Sequence, residues 1–494
     1  MYTVGVKYVR SYLPHRTIFL TGATLICVVG LGILAYSNTH LPDVVVTRTA
    51  NGFVPATITI KKGQVVIFKS SADKEFWPAS DFHPTHTLYP EFDPKRPLKP
   101  DESWRFVFAK AGVWTYHDHL SPDVRGTVIV LGAPGESAQA CLSHVATSSA
   151  DTSNCWAADM TETLQTKGLQ AAFDMFASLY KNSPSFRGLN CHDAGHILGA
   201  AAYKEYSDNH TVIDRPETSY CGYGFYHGFM EAMLVDQGPS QYGKVRDYCD
   251  ALKTNGHLNN PSGACYHGIG HAAFDSISGD LWGNADNMVQ AALDVCEKAA
   301  LGAPERAQCS TGVFNALAIA ESAHSYDLAF QKTDPMSICR AQKQQYQEGC
   351  YQELGIGVIR QDNLDRAASV AFIESFGNAD AVAATLLGYA ADEVKRSITS
   401  IDLPAFHSFC ASFASAQNQL ACNHGVLSGL REAGEPGKEY QKMFDYCALY
   451  EKGAARTECY SFSITQTKSI ASSAADFQRA CLAIDEPSIL GMCN

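Results

Sequence analysis

Gly112-Val-Trp-Thr-Tyr-His-Asp-His-Leu-Ser-Pro-Asp-Val-Arg-Gly-Thr-Val-Ile-Val130 decides how the first part of this chain folds. It reads as a strand, a short polar loop and a second strand that opens on glycine. Alternate residues of a strand share a face. His117 and His119 therefore point the same way, with Asp118 opposed or in the loop. Two imidazoles at a strand end make half of a metal site, and His83-Pro-Thr-His86 upstream can supply the rest.

Working outward, residues 41–131 alternate short β-favouring runs with Gly and Pro. Strands are expected at Val44–Arg48, Thr57–Ile60, Gln64–Ser70, Thr85–Leu88, Trp104–Phe108, Val113–Tyr116 and Gly126–Val130. Short strands at this density, separated by turn signals, indicate a β-sandwich. The stretch resembles the cupredoxin family, with Pro55, Ile58, Gly63, Val65, Phe68, His86, Phe106, Phe108, Gly112, Tyr116 and Gly126 falling where that motif expects them. The resemblance covers about residues 41–132 and implies a Greek-key sandwich.

Blue-copper cupredoxins carry Cys, His and Met in the last loop. Here Asp118, Ser121 and Val124 fall at those places, so no thiolate is present for a blue-copper centre. His86 stands at the family's first-ligand position, and Trp-Thr-Tyr-His-Asp-His is similar to the strand ends of multicopper oxidase domains. The expected ligands are His86, His117 and His119, joined by His83 or Asp118, around copper in a tetragonal site. Imidazole also suits zinc and iron. A copper-free sandwich whose histidines pair with neighbouring acids is the competing expectation.

The flanking sequence places the chain. Thr17–Tyr36 is 20 residues without a charge, and Lys7, Arg10 and Arg16 precede it. That length spans a bilayer, and positive charge stays inside. The expectation is a single-pass protein of the cell membrane, with residues 1–39 forming a cytoplasmic N-terminus and anchor and the bulk lying outside. A cleaved signal peptide is the rival reading, with a shorter apolar core and a cleavage site near Ala35-Tyr36-Ser37. A net charge of −13 disfavours nucleic acid as a partner.

Of 17 cysteines, Cys27 lies in the apolar span and the other 16 follow the sandwich. An even number in an exported region implies disulfides. Neighbours pair as Cys141–Cys155, Cys191–Cys221, Cys249–Cys265, Cys296–Cys309, Cys339–Cys350, Cys410–Cys422, Cys447–Cys459 and Cys481–Cys493; connectivity of the first four cysteines is the most open. The second cysteines recur every 34–44 residues, with Leu386-Leu-Gly-Tyr-Ala-Ala as a copy lacking Cys. Such a period means stacked helical hairpins, each stapled from the end of one helix to the start of the next. The sandwich (40–132) is thus followed by a linker (133–140) and a Cys-rich all-α repeat region (141–494).

Three motifs open that region: Cys191-His-Asp-Ala-Gly-His196, Tyr226-His-Gly-Phe-Met-Glu231 and Tyr266-His-Gly-Ile-Gly-His-Ala-Ala-Phe-Asp275. His192/His196, His227/Glu231, His267/His271 and His271/Asp275 each stand one helical turn apart on one face. Pairs of this kind on adjacent helices build metal sites, so His192, His196, His227, Glu231, His267 and His271 are expected to hold a second transition metal such as iron or zinc. Structural histidines at helix starts are the alternative. A cupredoxin-like module before a His/Glu-bearing helical region is similar in plan to periplasmic iron-uptake proteins, though their H-x-x-E motif is absent at His227.

Three functions follow. The first is an anchored extracytoplasmic metal-binding protein for electron transfer or metal handling, with a redox or metal-transfer protein as partner. The second is a membrane-tethered interaction scaffold, and the third a metal-dependent oxidase. No Gly-x-Ser-x-Gly, P-loop or dinucleotide fingerprint sits in a supporting context, so an enzyme is not the leading expectation.

Overall fold

A computed structural model describes residues 41–81, 86, 88–110, 112–131, 149–183, 186–187, 191–213, 215–237, 241–254, 261–471, 473–484 and 486–493. Thr17–Tyr36, Cys27, His83, the linker 133–140 and Cys141 lie outside them, and the side chain of Cys155 is likewise not described. Among the described residues, no helix is long and apolar enough to cross a membrane.

A small β-sandwich comes first. Its strands are β1 (Val44–Thr49), β2 (Gly52–Val54), β3 (Thr57–Lys61), β4 (Val65–Ser70), β5 (Pro78–Ser80), β6 (Ser103–Val107), β7 (Gly112–Asp118) and β8 (Ser121–Leu131). One sheet runs β2-β1-β4-β6 and the other β3-β8-β7-β5. Ile58 and Ile60 of β3 are buried between exposed threonines and lysine, the period-two pattern of a half-buried strand. β3 pairs parallel with β8, and β8 antiparallel with β7. Aromatic rings fill the interior: Phe92 stacks on Trp104 and Phe106, and Phe68 meets Tyr116 edge-on.

Two expectations are corrected here. The segment expected as a strand at Thr85–Leu88 has His86 in the left-handed region (φ 52°) and Leu88 in a turn, while the edge strand paired with β7 is β5. His119 lies one residue past the end of β7, after an irregularity between His117 and Asp118, so strand alternation does not relate it to His117.

The remainder is all-helical. The long helices are α3 (Cys191–Asn209), α4 (Tyr220–Gln237), α6 (Ser262–Asp275), α8 (Ala303–Ala323), α10 (Gln344–Gln361), α12 (Ala379–Ser397), α14 (Ala416–Ala433) and α16 (Ala454–Ile470). They pack in that order, neighbour on neighbour. Between them run α5 (Tyr242–Thr254), α7 (Ala285–Ala299), α9 (Ser337–Ala341), α11 (Arg366–Glu374), α13 (Leu403–Ala411) and α15 (Glu439–Ala448), with α1 (Ser149–Lys167) and α2 (Leu169–Asn182) before the series and α17 (Ala474–Cys481) and α18 (Pro487–Leu490) after it. Side-chain caps at Asn284, Asp365, Asn378 and Asp402 start α7, α11, α12 and α13.

Seven of the eight expected cysteine pairs are bonded; the eighth, Cys141–Cys155, lies outside the described residues. Five of the seven tie one helical segment to the first half of the next, and Cys481–Cys493 ties the end of α17 to the last described turn. Cys191–Cys221 differs, because it joins the starts of α3 and α4. The hairpin α11–α12 carries Leu386-Leu-Gly-Tyr-Ala-Ala and has no bridge, matching the repeat that lacks Cys. The row of long helices is not an open solenoid: it curls until α14 meets α4.

Candidate functional site: two imidazole clusters

His86, His117 and His119 converge, with one ring nitrogen of each lying within 4.8 Å of the others. All three are buried. His117 leaves β7 opposite Ala79 of β5, and its Nδ1 is 2.8 Å from Asp81 Oδ1. His86 Nδ1 is 2.6 Å from Asp93 Oδ2, and its Nε2 is 2.9 Å from His119 Nδ1. Each carboxylate fixes its imidazole's tautomer and turns Nε2 toward the cluster, the arrangement that orients metal-bound histidines. Burial alone would raise both carboxyls. Asp81 is nonetheless held below the usual range by Arg125 and His117, and Asp93 by His86 and Lys95. Burial pulls the His117 imidazole down to about 4, against the attraction of Asp81. It is therefore neutral at pH 7, as a ligand must be.

Asp118 does not belong to this cluster. Its Oδ2 accepts from Arg48 Nε at 2.8 Å, and its Oδ1 accepts from the Trp77 backbone N–H at 2.9 Å. The residue standing where the blue-copper family has its thiolate thus ties β1 to the segment before β5. Three imidazole nitrogens without sulfur remain, a donor set that fits Cu(II), zinc or iron.

In the helical region, the Cys191–Cys221 bridge sets α3 beside α4 with their starts together. His192 Nε2 then meets His227 Nδ1 at 3.2 Å, and His196 Nδ1 meets Glu231 Oε2 at 3.4 Å. His227 stacks on His271 with ring centroids 4.4 Å apart and lies 5.0 Å from His267. Such approach requires helices nearly in backbone contact. A Cβ on Gly228 would run into the His196 carbonyl, and one on Gly268 would come within 2.7 Å of the Tyr226 carbonyl oxygen. Gly228 and Gly268, each directly after a His, permit this close packing.

The result is one strip of side chains in three ligand-spaced sets: His192/His196/His227, His227/His267/His271 and Glu231/His271/Asp275. Burial pulls His192 down to about 3 and His267 to about 4, and takes His227 and His271 well below the ordinary value. Burial also opposes charge on His196, but Glu231 and Asp193 outweigh it and raise that imidazole. Burial, reinforced by Glu231, pushes the Asp275 carboxyl up. Further along the row the ligand types give way to Asn315, whose Nδ2 donates to Glu353 Oε2 at 2.7 Å, and to Lys395, whose Nζ donates to Glu432 Oε2 at 2.9 Å. His424 reaches Glu458 Oε1 at 2.6 Å and stacks on Phe462.

The two clusters are neighbours. Trp282 and Tyr326, from loops after α6 and α8, each place a ring 5.4 Å from that of His119. The Tyr326 hydroxyl donates to Asp275 Oδ1 at 3.4 Å. Tyr326 has a left-handed backbone (φ 55°), held by a 2.8 Å hydrogen bond from Gly283 N–H to its carbonyl. Strained backbone at such a place is a recurrent mark of functional sites. Asp81, Asp93, Trp282 and Tyr326 were not expected from the sequence. The two acids flank His86 by a few residues, which was a usable signal; the two aromatic residues had none.

No protein-family model matches the chain, and no curated protein matches it. Among solved structures, it is similar to an oxidized mutant of amicyanin, at 19% identity over 18% of this chain and 82% of that one, with a TM-score of 0.15. That likeness is too slight to carry any of the chemistry.

Proposed function

We propose that this protein is a membrane-anchored, extracytoplasmic metal-binding protein for electron transfer or metal handling, holding copper in the sandwich and a second transition metal in the helical strip. One observation carries the reading: His86 and His117 are buried, each is oriented by its own buried carboxylate, and both converge on His119. Pairing with acids is also what a copper-free sandwich expects; the convergence of three buried ring nitrogens on one point is what favours a metal. Copper, when bound, supplies one-electron exchange; the chain holds His117 neutral, fixes the tautomers of His86 and His117 and keeps water out.

The anchor is Thr17–Tyr36, and the seven bonded disulfides support an oxidising compartment. Protease added to intact spheroplasts should digest the bulk of the chain, and full protection would refute the topology.

Metal analysis tests the rest. The purified protein should retain copper, lose about one equivalent in His117→Ala and keep it in His227→Ala. It should lack the intense visible band of a thiolate-bound centre. Retention of no metal after loading would favour the scaffold reading. That reading draws on the direct hydrogen bond between His86 Nε2 and His119 Nδ1, which joins two of the three rings without an ion.

A further inference from the structure

We infer that the helical strip holds two ions at once, and that the position formed by Glu231, His271 and Asp275 is a separate, oxygen-rich site for a hard divalent first-row ion, Mn(II) or Fe(II), open to a cavity between the sandwich and the helices. This deepens the proposed reading of the strip as a metal site and rests on it.

The ligand sets give the first argument. His192/His196/His227 and Glu231/His271/Asp275 share no residue, so filling one leaves the other complete. The middle set, His227/His267/His271, borrows from both and competes with each.

Chemistry separates the two positions. Three imidazoles favour copper or zinc, whereas two carboxylates with one imidazole favour manganese or iron. Glu231 and Asp275 stand together, and two acids alone would be no site. His271 supplies the independent observation. It is 4% exposed, and although the Asn315 side chain supports the ring, Nε2 has no hydrogen-bond partner among the described residues. A buried ring nitrogen without a partner is costly unless something absent from the chain satisfies it. A cation held by a His271 ring nitrogen and the two carboxylates answers that need and offsets the mutual repulsion of the acids.

Access gives the third argument. A cavity of about 470 Å³ lies between the two regions and is lined by His196, Glu231 and Asp275 below and by Asp81 and Arg125 above. Glu231 is partly exposed, Asp275 is buried behind it, and Tyr326 fixes Asp275 from the far side. An ion there has protein ligands on one side and room on the other for water or a small ligand, the open arrangement of a reactive centre. Of the His192/His196/His227 position, only His196 lines the same cavity.

The test is Mn(II) titration of the metal-free full-length protein, read by loss of the free Mn(II) resonance signal, beside Zn(II) uptake at the imidazole set. His117→Ala is the background for both, so the sandwich is silent. Mn(II) should bind one site per chain. Asp275→Asn should weaken it at least tenfold and leave Zn(II) uptake unchanged, which also shows the variant is folded. Tyr326→Phe, which keeps both carboxylates, should weaken Mn(II) only a few-fold. Zn(II) uptake without Mn(II) uptake in the parent, or equal Mn(II) affinity in Asp275→Asn, overturns this inference alone. Failure to take up either ion overturns the metal reading of the strip and the inference with it.

Discussion

The ring of Tyr326 lies 5.4 Å from that of His119, so the helical region supplies part of the wall of the sandwich's imidazole cluster. The contact joins residues 207 positions apart in sequence, and the same tyrosine hydroxyl reaches Asp275. The sandwich cluster is therefore not enclosed by its own region alone, and through Tyr326 the two clusters should respond to one perturbation.

Tyr326→Ala is expected to destabilise the protein by roughly 3–5 kcal/mol, the usual range for deleting a buried aromatic side chain. It should also expose His119 to imidazole-modifying reagents. Tyr326→Phe keeps the ring and loses one hydrogen bond, about 1 kcal/mol, and should leave His119 protected. Denaturant unfolding with mass-spectrometric mapping checks both. Equal protection of His119 in the alanine variant would show that the tyrosine does not cover it.

Gly228→Ala tests the backbone contact that lets α3 and α4 bring their ligands together. One methyl group would force the helices apart at His196, at about 1–3 kcal/mol for overpacking. The larger effect should be on metal uptake, because His192–His227 and His196–Glu231 both span that seam. Calorimetric titration with Zn(II) should show affinity falling at least tenfold while sandwich copper is unaffected. Unchanged Zn(II) affinity would mean the strip tolerates wider spacing than ligand geometry allows.

Much of this was legible in the sequence because its signals are local. The strands around His117, the cysteine pairs some 12 residues apart and the i, i+4 ligand pairs are each set by periodicity within one or two elements. What escaped was set by long-range packing. Asp118 looked like a ligand from its alignment with a thiolate, but Arg48, 70 residues away, claims it. His227-Gly fitted a structural histidine at a helix start as well as a ligand, because nothing in the sequence says which backbone Gly228 touches. His424 lacks a partner at i+4, yet finds Glu458 in the next repeat, 34 residues on. Tyr326 and Trp282 carry no motif at all; only the docking of the helices on the sandwich gives them a role.

Disulfide removal should separate structure from site. Each short bridge closes a loop whose entropy is worth about 3 kcal/mol in the chain-entropy model. Replacing Cys481 and Cys493 with serine should lower thermal stability and leave metal binding alone, since that bridge lies at the far end of the repeat series. Replacing Cys191 and Cys221 should lower thermal stability and also weaken metal binding. That bridge aligns α3 with α4, and the Cys221 carbonyl lies 2.8 Å from His192 Nδ1. Thermal unfolding and Zn(II) titration of the two double variants decide the matter, and equal metal affinity in both would show that packing alone sets the register.

The pH dependence of the metal-free protein should be steep on the acid side. His117, His192 and His267 titrate near 4, 3 and 4 in the folded chain, and His227 and His271 well below their ordinary value, because burial disfavours the charged ring. In the unfolded chain all five titrate near 6.5. Below that pH the unfolded state binds more protons than the folded one, so stability present at pH 7 is lost as pH falls toward 4. Each such group contributes about 1.4 kcal/mol per pH unit once well inside that window. Asp275 and His196, whose folded values are raised, act in the opposite sense and offset part of the loss. Denaturant midpoints measured from pH 7.5 to 4.5 should therefore fall progressively, and the fall should shrink in His227→Gln, which removes one of the five. A flat profile across that range would mean that these imidazoles are solvated, and that the buried strip does not exist in solution.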